Sequence, residues 1–92
     1  MIIALDYDYT YTVDPAMWDQ FIVLAKLSGH TVICVTMRYD NREGDIVHKN
    51  LDNKVSSIYF TGRKAKQEFL LEQNIIPNVW IDDNPKWILF NA

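Results

Sequence analysis

Cysteine, glycine and proline are scarce in this chain of 92 residues, which has one cysteine, three glycines and three prolines. The single cysteine, Cys34, excludes an intrachain disulfide, so we expect a reducing, cytoplasmic setting. The few glycines and prolines are scattered and mark turns, with no linker or low-complexity tract between them. Internal repeats are also absent, and we expect residues 1–92 to form one domain.

Positive charge is in deficit, because nine Lys and Arg residues stand against twelve Asp and Glu residues, which gives a net charge of −3. A weakly acidic chain has no general attraction for nucleic acid or for an anionic membrane, so neither is an expected partner. Long hydrophobic runs are absent as well, since the first apolar stretch ends at Asp6. That stretch is too short for a signal peptide or a membrane span, and we expect no targeting segment.

Short apolar runs alternate with helical patterns along the chain. Continuous runs rich in β-branched residues predict four buried strands, at residues 2–5, 31–35, 55–60 and 78–81. Helical spacing predicts a helix between the capping pair Asp14-Pro15 and Gly29, a short helix over 46–51 and a helix over 64–73. Residues 37–43 are predicted to be a polar loop, and residues 87–90 are either a short strand or a helical turn.

This alternation predicts an α/β fold, a three-layer Rossmann-like parallel sheet of about four strands with helices on both faces. Ligands bind such sheets beyond the carboxyl ends of the strands. The polar residues expected at that edge are Asp6, Asp8 and Thr10 after the first strand, Thr36 after the second, Asp82 and Asp83 after the fourth, and Lys64 and Lys66 at the start of the helix after the third.

Four carboxylates gathered at one edge would repel one another in a partly buried site, and a bound cation removes that penalty. Oxygen ligands with few neutral donors suit Mg²⁺, which commonly pairs with substrate phosphate. We therefore expect a Mg²⁺ site made from Asp6, Asp8, Asp82 and Asp83.

The order of these motifs resembles that of the haloacid dehalogenase (HAD) superfamily, whose phosphohydrolases use an aspartate nucleophile. An apolar strand followed by Asp-x-Asp-x-Thr matches residues 2–10, an apolar strand ending in Thr matches residues 32–36, and an apolar strand ending in two acids matches residues 79–83. The family's lysine at a helix start has two candidates. Lys66 is preferred because Phe69 and Leu70 follow it at inward-facing spacing, and Lys64 is the alternative.

The resemblance implies a Mg²⁺-dependent phosphomonoesterase with no cap domain. Asp6 would attack phosphorus and form an aspartyl-phosphate, while Asp8 would act as general acid and then as general base. Thr10, Thr36 and the lysine would bind the phosphoryl group. The ligands implied for Mg²⁺ are Asp6, the backbone carbonyl of Asp8, Asp82 and, in support, Asp83.

Two departures from the family pattern leave the substrate open. A glycine usually precedes the threonine of the first motif, where this chain has Tyr9, and the predicted elements leave no room for a cap. An uncapped site suits a large phosphorylated substrate, a lid from a second copy in a homo-oligomer, or a small substrate such as a nucleotide or another phosphorylated metabolite. The alternative function is a slow or inactive binding or regulatory module that retains the metal and phosphate site.

Three further patterns have a structural and a functional interpretation. Tyr7, Tyr9 and Tyr11 are expected to pack beside the first strand, although one could stack on a substrate ring. Arg38 and Arg42 could bind a second anion, but the acids around them favour a self-paired surface loop. Thr61, before a Gly-Arg pair, also resembles the threonine of the second motif, but it follows the third strand and is predicted to be a helix N-cap.

Overall fold

The computed structural model describes residues 1–92 and contains a four-stranded, all-parallel sheet in the order β3-β2-β1-β4. The strands are β1 (Ile2–Leu5), β2 (Thr31–Thr36), β3 (Ser57–Phe60) and β4 (Val79–Ile81). Leu5, the last residue of β1, pairs with Cys34 of β2 and with Ile81 of β4, so β1 is central and its carboxyl end lies level with that of β4. The predicted α/β class and parallel sheet are confirmed.

Five helices connect and cover the strands. They are α1 (Pro15–Leu27), α2 (Asp40–Glu43), α3 (Asp45–Leu51), α4 (Lys66–Glu72) and α5 (Lys86–Leu89), with a 3-10 turn at Tyr11–Val13. The predicted start of α1 is confirmed, because the Asp14 side chain accepts a hydrogen bond from the Met17 N–H at 3.2 Å. Gly29, at φ +87°, follows the end of this helix in the left-handed conformation that glycine adopts without strain.

Both faces of the two central strands are buried, which explains why β1 and β2 are continuously apolar. On one face, Leu5 and Cys34 pack with residues of α1 and α3, among them Ile22 and Leu51. On the other face, Ala4, Ile33 and Val35 form a second cluster with Leu70 of α4. Helices therefore cover the sheet on both sides and fix the ends of β1 and β2 in place.

Two predicted boundaries near the third strand are wrong. The strand begins at Ser57 and not at residue 55, because the Val55 N–H donates to the Leu51 carbonyl and so extends the turn after α3. The next helix begins at Lys66 and not at residue 64. Thr61 is not its N-cap: its hydroxyl donates to the Lys64 carbonyl at 2.8 Å and closes a turn before the helix.

The predicted loop over 37–43 contains a short helix, α2, and residues 86–89 are helical, which settles the choice left open for residues 87–90. The sequence of α2, Asp-Asn-Arg-Glu, has no apolar residue and therefore no periodicity that could reveal it. A backbone hydrogen bond from Gly44 to Asp40 closes its single turn.

Candidate active site

A cavity lies where the strand order reverses. The chain places β1, β2 and β3 successively outward and then returns to place β4 on the other side of β1. In open parallel sheets such a switch point leaves a ligand-binding crevice beyond the carboxyl ends of the strands. A cavity of about 320 Å³ lies at this edge. The predicted site residues in its lining are Asp6, Asp8, Thr36, Lys66, Asp82 and Asp83.

Asp6 lies at the cavity as a buried residue, with 7% of its surface exposed. Its N–H donates to the Ile81 carbonyl at 2.9 Å, which ties it to β4. One carboxylate oxygen accepts from Lys66 Nζ at 2.7 Å and the other from the Thr10 hydroxyl at 3.0 Å. Burial raises the pKa of Asp6 to about 7; Lys66 opposes this rise and the neighbouring Asp82 adds to it.

Lys66 joins the ends of β1 and β4. Its ammonium lies 2.7 Å from Asp6 Oδ1 and 2.6 Å from Asp82 Oδ2, and its side chain is 4% exposed. Burial disfavours the charged ammonium, but the attraction of Asp6 and the hydrogen bonds to both carboxylates outweigh it and raise the pKa of Lys66. Lys66 is therefore a fixed cation at the cavity wall.

Lys64, the alternative lysine, does not reach this cluster. It precedes α4, is exposed, and pairs with Glu72 at 3.1 Å. The two lysines are separated because the helix starts at Lys66, so that only the later one lies on the first turn and faces the sheet.

Three carboxylates can supply a metal site. One oxygen from each of Asp6, Asp82 and Asp83 lies within 4.8 Å of the other two. When all three carboxylates are ionised, the group together with Lys66 has a net charge of −2, which a divalent cation would neutralise. Carboxylate oxygens are ligands of the kind that Mg²⁺ prefers, so the donor set fits that ion. The Asp8 side chain is not in this group.

Thr10 connects the two acidic segments. Its hydroxyl lies 3.0 Å from Asp6 and 3.3 Å from Asp83 Oδ1, and it accepts the Asp83 N–H at 3.1 Å. Thr10 is buried and is not part of the cavity lining. The structure thus places it behind the carboxylates, where it orients them, and not where it was predicted to contact phosphate.

Thr36 ends β2 and lies in the cavity wall with 1% of its surface exposed. Its hydroxyl oxygen accepts the Arg38 N–H at 3.3 Å. That contact leaves the hydroxyl hydrogen available to an acceptor in the cavity, such as a phosphoryl oxygen.

Asp8 is held by an arginine that the sequence analysis assigned to a surface loop. Arg38 donates from Nε at 2.9 Å and from Nη2 at 2.8 Å to the two oxygens of Asp8, and from Nη1 to the Glu43 carbonyl at 2.9 Å. The hydrogen bonds that Arg38 donates to Asp8 raise the pKa of Arg38, although partial burial opposes the rise. The interpretation of Arg38 as a self-paired residue of its own loop is wrong, because its carboxylate partner lies after β1. The position of Arg38, two residues after Thr36, was the available indication that it lies near the site.

The three tyrosines after β1 have different environments. Tyr7 and Tyr11 are buried and stack on each other with ring centroids 5.8 Å apart, as the packing interpretation predicts. Tyr9 is 77% exposed and lines the cavity. Its φ of +60° lies in the left-handed region, which explains why glycine would suit this position.

The cavity wall also contains residues that were not predicted from the sequence, among them Arg63 and Trp87. Trp87 lies on α5, a helix of four residues, and Arg63 lies on the turn before α4. No periodicity marks either segment. The only signal was their position, since each follows the carboxyl end of a strand.

Comparison of the chain with protein-family models, with curated proteins and with solved structures gives no match. None of the helices combines the length and the apolar character needed to cross a membrane. The function is therefore inferred from the geometry of the cavity.

Proposed function

We propose that this chain is a Mg²⁺-dependent phosphomonoesterase of the HAD type, with Asp6 as the nucleophile. The observation that carries the proposal is the convergence on Asp6 of groups from three separate parts of the chain. Lys66 and Thr10 bind its two oxygens, and Asp82 and Asp83 complete a carboxylate group around it. A buried carboxylate at the switch point of a parallel sheet, next to a fixed ammonium, has the position and neighbours that a phosphoryl acceptor needs.

In the proposed reaction, a carboxylate oxygen of Asp6 attacks the phosphorus atom as the ester oxygen leaves on the opposite side. A phosphorus–oxygen bond to Asp6 forms, and the bond to the leaving group breaks. Lys66 and the Thr36 hydroxyl stabilise the charge on the phosphoryl oxygens. Water then attacks the aspartyl-phosphate, releasing inorganic phosphate and restoring Asp6.

Mg²⁺, held by Asp6, Asp82 and Asp83, would neutralise part of the negative charge on the phosphoryl group. This matters because an anionic nucleophile and an anionic substrate repel each other. The proposed substrate is a phosphorylated metabolite, such as a nucleotide, or a phosphorylated macromolecule. The proposed location is the cytoplasm.

Asp8 serves as the proton donor to the leaving oxygen and then as the base for water. Both of its oxygens are occupied by Arg38. At least one of the hydrogen bonds between Arg38 and Asp8 must therefore break before Asp8 transfers a proton. This contact favours a second candidate function, in which Arg38 keeps Asp8 engaged and the chain acts as a binding or regulatory module with little turnover.

Thermal unfolding with beryllofluoride tests the proposal, because beryllofluoride on an aspartate mimics aspartyl-phosphate. A ligand at 100 times its Kd stabilises by about 2.7 kcal/mol, which for a chain of this size raises Tm by roughly 10 °C or more. We expect that rise in wild type with Mg²⁺ present, and none in Asp6→Asn. Asp45→Asn is the matched control, since Asp45 is exposed and makes no ion pair. A rise in Asp6→Asn equal to that in wild type would refute the assignment.

A substrate screen then separates the two candidate functions. Release of inorganic phosphate from a panel of phosphate monoesters, lost in Asp6→Asn and in Asp8→Asn, supports the enzyme. A beryllofluoride response without turnover of any monoester supports the binding module.

A further inference from the structure

The turn after β3 points a second arginine at the cavity. Gly62 and Arg63 are both left-handed, with φ of +59° and +73°. For arginine this conformation is strained, and strained residues persist where the surroundings fix them, often at functional sites. Arg63 lies in the cavity wall, and the proposed reaction does not use its side chain.

Contacts to the loop after β2 hold this turn. The Arg63 N–H donates to the Met37 carbonyl at 3.0 Å, and the Gly62 N–H donates to the Arg38 carbonyl at 3.3 Å. A side chain at Gly62 would meet the Tyr39 ring, since a Cβ atom there would lie 2.9 Å from a ring carbon. The close fit of the two loops therefore fixes the backbone from which the Arg63 side chain starts.

The Arg63 guanidinium is only partly used by the protein. Nη1 donates to the Met37 carbonyl at 2.7 Å, whereas Nη2 contacts the Glu43 carboxylate at 3.2 and 3.3 Å, long distances for an ion pair. Nε makes no hydrogen bond within the chain, and the side chain is 42% exposed. Arg63 thus lines the cavity with donors still available.

The other cations near the cavity are already engaged. Lys66 Nζ lies 2.7 and 2.6 Å from two carboxylates. All three guanidinium nitrogens of Arg38 donate hydrogen bonds, two to Asp8 and one to the Glu43 carbonyl. Arg63 is the remaining cation of the cavity lining. Because a guanidinium binds carboxylate or phosphate through two parallel hydrogen bonds, it is suited to an anionic group that enters from solvent.

We propose that Arg63 binds a second anionic group of the substrate, so that the preferred substrates are phosphate monoesters that also carry a carboxylate or another phosphate. This inference rests on the proposed function, which places the reacting phosphoryl group at Asp6. Glu43 holds the guanidinium at the cavity wall in the free protein, and the incoming anion takes the Nε side of the guanidinium and competes with Glu43 for Nη2.

The test uses phosphonates, which bind but are not hydrolysed, so turnover is not needed. Isothermal titration with Mg²⁺ present compares phosphonoacetate, 3-phosphonopropionate and 4-phosphonobutyrate with ethyl-, propyl- and butylphosphonate. We expect at least one carboxylated compound to bind wild type about tenfold or more tightly than its alkyl partner. The ratio of the two dissociation constants, alkyl over carboxylated, should fall to about one in Arg63→Gln. Most of this preference should also be lost in Arg63→Lys, which keeps the positive charge but not the two parallel N–H donors of the guanidinium.

Two further variants keep the test decisive. Arg42→Gln is the matched control, because Arg42 is exposed, lies over the Tyr39 ring and is not in the cavity lining. This variant should keep the wild-type preference for the carboxylated phosphonate. Glu43→Gln weakens the competing partner of Arg63, so the ratio should rise, which tests the same claim if Arg63→Gln does not fold.

Alkylphosphonate binding with no carboxylate advantage in wild type would overturn this inference alone. An advantage that persists in Arg63→Gln and is unchanged in Glu43→Gln would also overturn it. Failure of every phosphonate to bind wild type would overturn the proposed phosphate site and this inference with it.

Discussion

Lys66 Nζ lies 2.7 Å from a carboxylate oxygen of Asp6, and both side chains are almost completely excluded from solvent. The contact joins residues 60 positions apart in the sequence, across the central strand and the start of α4. The contact balances two buried charges at the cavity, because the attraction between the ammonium and the carboxylate offsets the cost of removing each group from water.

Removal of the Lys66 ammonium should destabilise the fold and abolish activity. We expect Lys66→Met to lower the free energy of unfolding by about 3 kcal/mol, since it leaves two buried carboxylates without their cation. Mg²⁺ should restore part of that loss by neutralising the same carboxylates. Urea unfolding with and without Mg²⁺ measures both effects.

Lys64→Met is the matched control for that variant, because Lys64 forms an exposed pair with Glu72. Its effect on the free energy of unfolding should stay within about 0.5 kcal/mol. Equal effects of the two substitutions would contradict the assignment of Lys66 to the site.

The stability of the Mg²⁺-free protein should decrease as pH rises towards neutrality. The pKa of Asp6 is about 7 in the fold against an ordinary value of 3.8, so its contribution is complete below about pH 3.8 and is lost as pH rises through about 7. The difference corresponds to up to about 4 kcal/mol. Urea unfolding across this range should show the loss in wild type and not in Asp6→Asn.

Mg²⁺ should act in the opposite sense, because it favours the charged carboxylate. We therefore expect its stabilising effect to be larger at pH 8 than at pH 5. Parallel pH profiles for wild type and Asp6→Asn would show that Asp6 has no raised pKa.

The sequence predicted the parts of the fold that depend on apolar pattern. β1 and β2 are buried on both faces and so read as continuous apolar runs, and α1 carries a cap, a proline and a terminal glycine. The polar helix α2 and the start of α4 at Lys66 were not predicted. Hydrogen bonds in turns define them, including the one from the Thr61 hydroxyl to the Lys64 carbonyl, and no apolar periodicity marks them.

In the candidate site, the residues at the strand ends were predictable and the contacts made by loops were not. The acids and Thr36 follow apolar strands, so the topology alone brings them to one edge. The Asp8–Arg38 pair and the position of Arg63 depend on loop conformations after β2 and β3, which residue spacing does not encode. The preference for Lys66 over Lys64 agrees with the placement of the two side chains, because it relied on helix geometry.

Release of Asp8 from Arg38 should increase turnover. Arg38→Gln removes the two hydrogen bonds that occupy Asp8, and we expect kcat for a small phosphate monoester to rise about tenfold. The pair is partly exposed, so the free energy of unfolding should fall by only about 1 kcal/mol. A fall in kcat in a folded variant would show instead that Arg38 holds Asp8 in its working position.

Tyr9 should show two separable effects. Tyr9→Gly should be about 1 kcal/mol more stable than Tyr9→Ala, because both variants lose the exposed ring but only glycine adopts φ of +60° without strain. Thermal unfolding of the pair measures this difference. Equal stabilities would indicate that the backbone relaxes at this position.

The exposed Tyr9 ring at the cavity is available to stack on a substrate base. Both variants should then lose about tenfold more kcat/KM on a nucleoside monophosphate than on ethyl phosphate. Equal losses on the two substrates would leave Tyr9 with no part in ring recognition.

Capture of the covalent intermediate tests the central claim most directly. Asp8→Asn keeps the nucleophile but lacks the base for water, so incubation with acetyl phosphate and Mg²⁺ should add one phosphoryl group to the intact mass. Peptide mapping should locate that group on Asp6, and the double variant Asp6→Asn, Asp8→Asn should gain no mass. A phosphoryl group on another residue, or an equal mass gain in the double variant, would contradict the account.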